Sequence, residues 1–282
     1  MWSDSLMPPP PLLRNDENNC YINSAVQSLI TVNQTCPRKD RPAMPAELRV
    51  APVPDATGYY NKCAAKAKAK PHTGRQGSSV EAFQTMVEAD AGANALLRGC
   101  LFKDVKCQRC ANLSRTRMPF VVLDIPLNTD SGRPAGTIAE CFLGLFRTSR
   151  VPDYQCDSTR CKGIHGPAEI THRMDEECYP RFFAIELQRG VGMSKRSGQH
   201  VEFGYELNIT PRYTDGQVGD PMMHELVAVV MHTGSVGSGH YTSYQRRQDK
   251  WYMCDDSRPL PVVEMDGLVD DGSAVMLIYR RR

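Results

Sequence analysis

No apolar run in the sequence approaches the ~18 residues that a membrane-spanning helix requires. Charge bias is also missing. The 34 Lys and Arg against 32 Asp and Glu leave a net charge of +2, which gives no basis for expecting nucleic acid or a membrane as partner. The opening MWSDSLMPPPPLL has neither a basic start nor a long apolar centre, so no signal peptide is expected there. Without a secretory signal, the 11 cysteines, an odd number, read as reduced thiols, some of them metal ligands, rather than as a disulfide framework. The expected compartment is the cytosol, the nucleus, or both.

What is present is a soluble, globular composition: 282 residues, 41% hydrophobic and 23% charged, enough for one large domain or two small ones. The stretch that organises the chain is Leu226 to Ser257. Leu226–Val230 is an apolar, β-branched run typical of a buried strand. The Gly/Ser-rich segment Thr233–Gly239 reads as a mobile loop that ends this strand. His240 follows, then an alternating strand Tyr241–Tyr244, a polar turn, and Trp251–Cys254 leading into Asp255 and Asp256. Two adjacent antiparallel strands could bring that imidazole and a carboxylate together, the base and orienter of a nucleophilic triad.

A nucleophile is available at the other end. Ile22, Val26, Leu29 and Ile30 recur at helical spacing behind the polar, cap-forming run Asn15–Asn19, which places Cys20 at a helix N-terminus. The unpaired amides there favour a thiolate over a thiol. Taken alone, a helix-start cysteine is more often a small buried hydrophobe.

Two boxes taken together resemble the ubiquitin-specific proteases. In the first, Asn15, Asn18, Cys20, Tyr21, Asn23, Ser24, Gln27 and Leu29 fall in the family's places. In the second, Gly239, His240, Tyr241, Trp251, Tyr252, Asp255, Asp256 and Ser257 do so, and AVMLIYRR resembles the family's last strand. The resemblance spans Leu12 to Arg280. It implies Cys20 as nucleophile, His240 as general base and then acid, Asp255 as the residue orienting His240, and Asn15 as side-chain donor to the oxyanion. Asp256 is the alternative for the third triad position, and His232 is expected to be structural. Glu17 and Asn19 depart from the usual Gly and Thr, and a carboxylate at Glu17 could raise the Cys20 pKa or point outward.

Residues 31–80 are Pro-rich and then basic, and fit either a short helix or a solvated linker. Val80, Phe83 and Val87 mark a helix in the place of the family's QQDAxEF segment, of which only Phe83 is kept. An acid is missing at Ser79, where the family contacts the basic ubiquitin tail, and Glu81 could substitute on another face. Cys107-x2-Cys110 is the first half of a zinc-ribbon pattern, and Cys156-x4-Cys161 is a second pair within allowed ligand spacing that departs from the commoner x2, with His165 able to replace one ligand. The other six cysteines lack such a pattern and read as packing residues. Residues 179–190 and 200–209 read as core strands.

The expected fold class is α+β: a papain-like cysteine peptidase, one domain over 12–282 with a helical thumb (about 12–105), zinc-ribbon β fingers (about 106–180) and a β-sheet palm (about 181–282, with part of the fingers), behind a disordered lead-in at 1–11. One structural Zn2+ is expected. The expected function is thiol-dependent hydrolysis of the (iso)peptide bond after the ubiquitin C-terminus. The alternatives are the same chemistry on SUMO or the neddylation modifier, and a non-catalytic ubiquitin-binding scaffold. Ubiquitin or ubiquitinated proteins are the expected partners. An activating or targeting protein would act from outside the domain or through the surface of residues 37–75.

Overall fold

Apolar residues recurring through CYINSAVQSLITVNQT produce helix α1 (Cys20–Thr35), and 14 of its 16 residues are buried. A helix enclosed on all sides must satisfy its polar side chains internally. Ser28, Thr31 and Thr35 do so by donating to the carbonyls of Ser24, Gln27 and Thr31, each one turn back. A computed structural model describes residues 9–41, 48, 55–129, 131–191, 195–196, 198–209, 222–235, 238–248, 250–256, 262–263 and 272–282. The first eight residues of the expected lead-in, most of 42–54, and Ser257 of the second box lie outside the described residues.

Three more helices follow, each started by a side chain that accepts a backbone N–H. Asp55 caps α2 (Ala56–Ala67), Ser78 caps α3 (Ser79–Ala89) and Asp90 caps α4 (Ala91–Leu97). The basic stretch 63–67 is therefore the end of a helix, and Lys68 closes it in the left-handed conformation at φ 56°.

The strands are β1 (Gly99–Cys107), β2 (Leu113–Phe120), β3 (Val122–Ile125), β4 (Ser149–Gln155), β5 (His165–Met174), β6 (Phe182–Leu187), β7 (Gly190–Val191), β8 (Lys195–Arg196), β9 (Glu206–Ile209), β10 (Met222–Ser235), β11 (Ser238–Arg247), β12 (Lys250–Cys254), β13 (Val262–Val263) and β14 (Ala274–Arg281). A fifth helix, α5 (Ile138–Leu145), begins in a reciprocal capping box between Thr137 and Glu140. Strands β2-β1-β5-β4 form one antiparallel sheet, and β7 pairs with β8. The larger sheet runs β13-β12-β11-β10-β14-β6-β3, with β9 also pairing with β10. Its neighbours are antiparallel except for β3 with β6.

This large sheet is buried on both faces. Met276 and Ile278 face the four-helix layer, and Leu277 and Tyr279 face a second core that contains Ile138 and Phe142 of α5. Register shifts in β10 at Leu226/Ala228 and Val230/Met231 adjust which face its residues meet.

One expectation is corrected. The Gly/Ser-rich segment does not end the strand at Thr233: β10 runs to Ser235 and β11 starts at Ser238, with Thr233 opposite His240 and Gly234 opposite Gly239. Ladder pairing overrides the flexible composition, and Gly234 takes a φ of 113° that a side chain would strain.

Candidate active site

The nucleophile candidate enters from the helical side. Cys20 is the first residue of α1, and the loop before it is folded by its own asparagines. Asn15 Oδ1 accepts the Asn19 N–H at 3.0 Å, and Asn18 sits in the left-handed region at φ 53°. Asn19 occupies the capping position without capping the helix; its Nδ2 donates instead to Thr57 Oγ1 on α2 at 2.8 Å. Cys20 is only 3% exposed. Burial pushes its thiol pKa up. The N–H groups of Tyr241, Tyr21 and Cys20 itself pull it down, while the Asp256 carboxylate adds to the rise. The net shift is upward, so burial outweighs the helix-terminus effect read from the sequence. Glu17 is exposed, and the carboxylate that acts on the thiol is Asp256.

The base candidate enters from the sheet. His240, in β11, places Nε2 2.6 Å from Oδ1 of Asp255, which follows β12, and Asp255 is buried while the imidazole is 40% exposed. Asp256 turns the other way, at φ 49°. Its carboxylate accepts from Asn15 Nδ2 at 2.8 Å and Asn23 Nδ2 at 2.7 Å, and lies 3.9 Å from His240 Nε2. Its carbonyl accepts the Leu13 N–H at 3.3 Å. The two aspartates are thus separated by partner: Asp255 holds the imidazole and Asp256 holds the cysteine-bearing segment.

His232 stacks edge-on against Tyr241 with centroids 4.4 Å apart and packs beneath Gly239, where a Cβ would come within 2.7 Å of its ring. Three further residues join the site without a role expected from sequence. Asn23 is a ligand of Asp256. His72 receives the Tyr21 hydroxyl at Nδ1 (2.9 Å) and donates from Nε2 to the Glu17 carbonyl (2.8 Å). Gln76 bonds Gly239. Their signal is spatial: His72 and Gln76 belong to the segment between α2 and α3, which has no periodicity to read.

At the far end of the four-stranded sheet, Cys107, Cys110, Cys156 and Cys161 bring their sulfurs within 4.8 Å of one another. Cys107 and Cys161 are 3.8 Å apart, and Cys110 and Cys156 are 3.7 Å apart. A tetrahedral zinc with Zn–S bonds of about 2.3 Å sets sulfur–sulfur edges of about 3.8 Å, so the donor set fits such an ion. Backbone N–H groups of Cys110 and Arg109 pull the Cys107 thiol down and the Asn112 N–H brings Cys110 to about 6, whereas Cys156 and Cys161 are shifted up, Cys161 chiefly by its contact with Cys110. His165 is exposed and pairs through Nδ1 with Asp153 at 2.7 Å, outside the thiol cluster. Of the cysteines read as packing residues, Cys36, Cys63, Cys141 and Cys254 are buried, whereas Cys100 and Cys178, 78 residues apart, meet with their sulfurs at 2.8 Å.

A helical layer presenting a buried thiol to a sheet that carries a histidine–aspartate pair is the architecture of a papain-like cysteine peptidase. The family profile described as ubiquitin carboxyl-terminal hydrolase matches residues 59–279, and the chain belongs to that family. The matched span holds His240, Asp255 and the four clustered cysteines and leaves Cys20 outside, so Cys20 stands on its geometry. Similar relatives include ubiquitin carboxyl-terminal hydrolase 4 of Saccharomyces cerevisiae, 25% identical over 66% of this chain and 22% of its own length. Ubiquitin carboxyl-terminal hydrolase nonstop of Drosophila melanogaster is 27% identical over 66% of this chain and 38% of its own. The chain therefore spans well under half the length of these relatives. Among solved structures, the SAGA Ubp8/Sgf11/Sus1/Sgf73 DUB module bound to ubiquitin aldehyde is similar at a TM-score of 0.74 and 18% identity, covering 96% of this chain and 69% of that one. A variant of the same module bound to monoubiquitin gives a TM-score of 0.73. At that identity the likeness is one of fold.

Proposed function

We propose that the chain is a thiol-dependent deubiquitinase that cleaves the (iso)peptide bond after the ubiquitin C-terminus. The observation that carries this reading is that Cys20, at the head of α1, lies in one buried cluster with Tyr241, the residue after His240, whose imidazole meets Asp255 at 2.6 Å. His240 takes the thiol proton and the thiolate attacks the last carbonyl of the ubiquitin tail, forming the C–S bond. One N–H of Asn15 is held by Asp256; the other would meet the oxyanion together with backbone amides at the start of α1. His240 then protonates the leaving lysine amine as the C–N bond breaks. Water, deprotonated by His240, hydrolyses the thioester and restores the thiol. Asp255 keeps the imidazole oriented and supports its charged form.

In this reading the helices form a thumb, the large sheet a palm and the four-stranded sheet the fingers. Cys107, Cys110, Cys156 and Cys161 hold one structural zinc that pins the finger strands; His165 is not a ligand. The partners are ubiquitin and ubiquitinated proteins. The solved neighbour is assembled with Sgf11, Sus1 and Sgf73, and a comparable activating or targeting partner, in the nucleus or cytoplasm, is the corresponding proposal here.

A second reading keeps the chemistry and changes the modifier. Ser79, the position of the missing acid, is fully buried at the start of α3, while Glu81 is exposed, so Ser79 offers nothing to a basic tail and Glu81 is an acid available on another face. Ubiquitin carrying a C-terminal electrophile, tested beside the SUMO and neddylation-modifier equivalents, separates the readings. A ubiquitin adduct mapped to Cys20 is expected. An adduct with another modifier alone would transfer the activity to it, and no adduct with a folded, metal-loaded chain would leave a binding scaffold.

A further inference from the structure

Two sets of hydrogen bonds bracket the His240–Asp255 pair, one on each side. On one side Asp256 is gripped by Asn15 and Asn23. On the other, Gln76 makes both of its bonds to a single residue: Nε2 donates to the Gly239 carbonyl at 2.7 Å, and Oε1 accepts the Gly239 N–H at 2.8 Å. β12 ends at Cys254, opposite Ser243, so the edge of β11 at Gly239 is not covered by that strand. The Gln76 carboxamide bonds this edge as a neighbouring strand residue would. Gly239 presents only backbone to it, and a Cβ there would collide with the Thr233 carbonyl at 2.4 Å and with the His232 ring.

The next residue, Gly77, lies so close to Tyr21 that a Cβ would approach its ring to 2.8 Å. Tyr21 is covalently next to Cys20, and its hydroxyl is held by His72 at 2.9 Å. A continuous path of bonds and contacts thus runs Cys20, Tyr21, Gly77, Gln76, Gly239, His240, crossing from helical layer to sheet. We propose that Gln76 is a positioning residue that sets the His240 strand in register with Cys20. The proposal rests on the Cys20–His240 reading above.

The test is the pH dependence of Cys20 alkylation by iodoacetamide, located by peptide mass, in the wild type, Gln76→Ala and Gln76→Glu, alongside kcat and KM on a ubiquitin C-terminal amide. In both variants alkylation near pH 7 is expected to slow by about 3- to 30-fold, as displacement of a reacting group by a fraction of an ångström does. The inflection should move to higher pH, and kcat should fall by a similar factor with KM within about twofold. Gln76→Glu is expected to give no rescue, because a carboxylate cannot donate to the Gly239 carbonyl. An unchanged alkylation profile and kcat would overturn the proposal. So would faster alkylation with a lower KM, the result of Gln76 barring the cleft. A wild-type profile that His240→Ala leaves unaltered would sink the Cys20–His240 reading itself.

Discussion

Asp255 and Asp256 are adjacent in sequence, and the difference between them is made entirely by what each carboxylate touches. Asp255 meets His240 at 2.6 Å; Asp256 meets Asn15 and Asn23 and lies 3.9 Å from His240. Asp255→Asn is therefore expected to lower kcat by about 10²- to 10⁴-fold with little change in fold, since it removes the charge that orients and supports the imidazolium. Asp256→Asn should cost about tenfold, because it loosens the Asn15 loop while leaving the imidazole held. Steady-state hydrolysis by the two variants checks this, and equal losses would contradict the division of roles. The sequence singles out Cys20, His240 and Asp255 as candidates because the two boxes are dense in residues that match the family. It leaves Asp256 ambiguous because its partners lie 241 and 233 residues away. The Cys20 environment is misjudged from sequence for a related reason: helix position is legible locally, whereas burial by distant strands is not.

At the scale of elements, the cysteine pairs of the four-stranded sheet are legible as pairs because the Cys107–Cys110 spacing is local, and their convergence depends on β1 pairing with β5. Cys110→Ser is expected to lower the metal content from one zinc per chain toward none and to lower the thermal midpoint, with chelation of the wild type having the same effect. Elemental analysis beside thermal unfolding measures both. A wild type that contains no metal and whose unfolding ignores chelators would remove the ion from the fingers. The β10–β11 hairpin teaches the opposite lesson. Its Gly/Ser composition argues for a loop, and cross-strand bonding from Ala228–Gln245 out to Ser235–Ser238 makes it a ladder. The course of the strand before His240 is therefore set by pairing that composition does not report.

At the scale of the whole molecule, the large sheet divides two cores, and β14 is its interior strand, paired with β10 on one side and β6 on the other. This order joins residues from both halves of the chain, and no strand's own pattern gives it. One buried titratable group couples that architecture to pH. His224, fully buried beside Tyr179 and Phe183, has its pKa lowered to about 4 by burial, against 6.5 for the free side chain. A depressed histidine contributes stability that is complete above the unfolded value and is lost as pH falls toward the folded one. Between about pH 6.5 and 4 the fold should lose on the order of 3 kcal/mol through this residue. Urea unfolding of the wild type and His224→Gln at pH 7 and 5 tests it: the wild type should lose more stability on acidification than the variant, and parallel losses would assign the acid sensitivity elsewhere.

The most direct test of the thiol mechanism on this fold is hydrolysis of a fluorogenic ubiquitin C-terminal amide by the wild type, Cys20→Ala and His240→Ala. Turnover by the wild type that disappears in Cys20→Ala and drops by at least about 10³-fold in His240→Ala is the expected result. Turnover that survives Cys20→Ala would contradict Cys20 as the nucleophile.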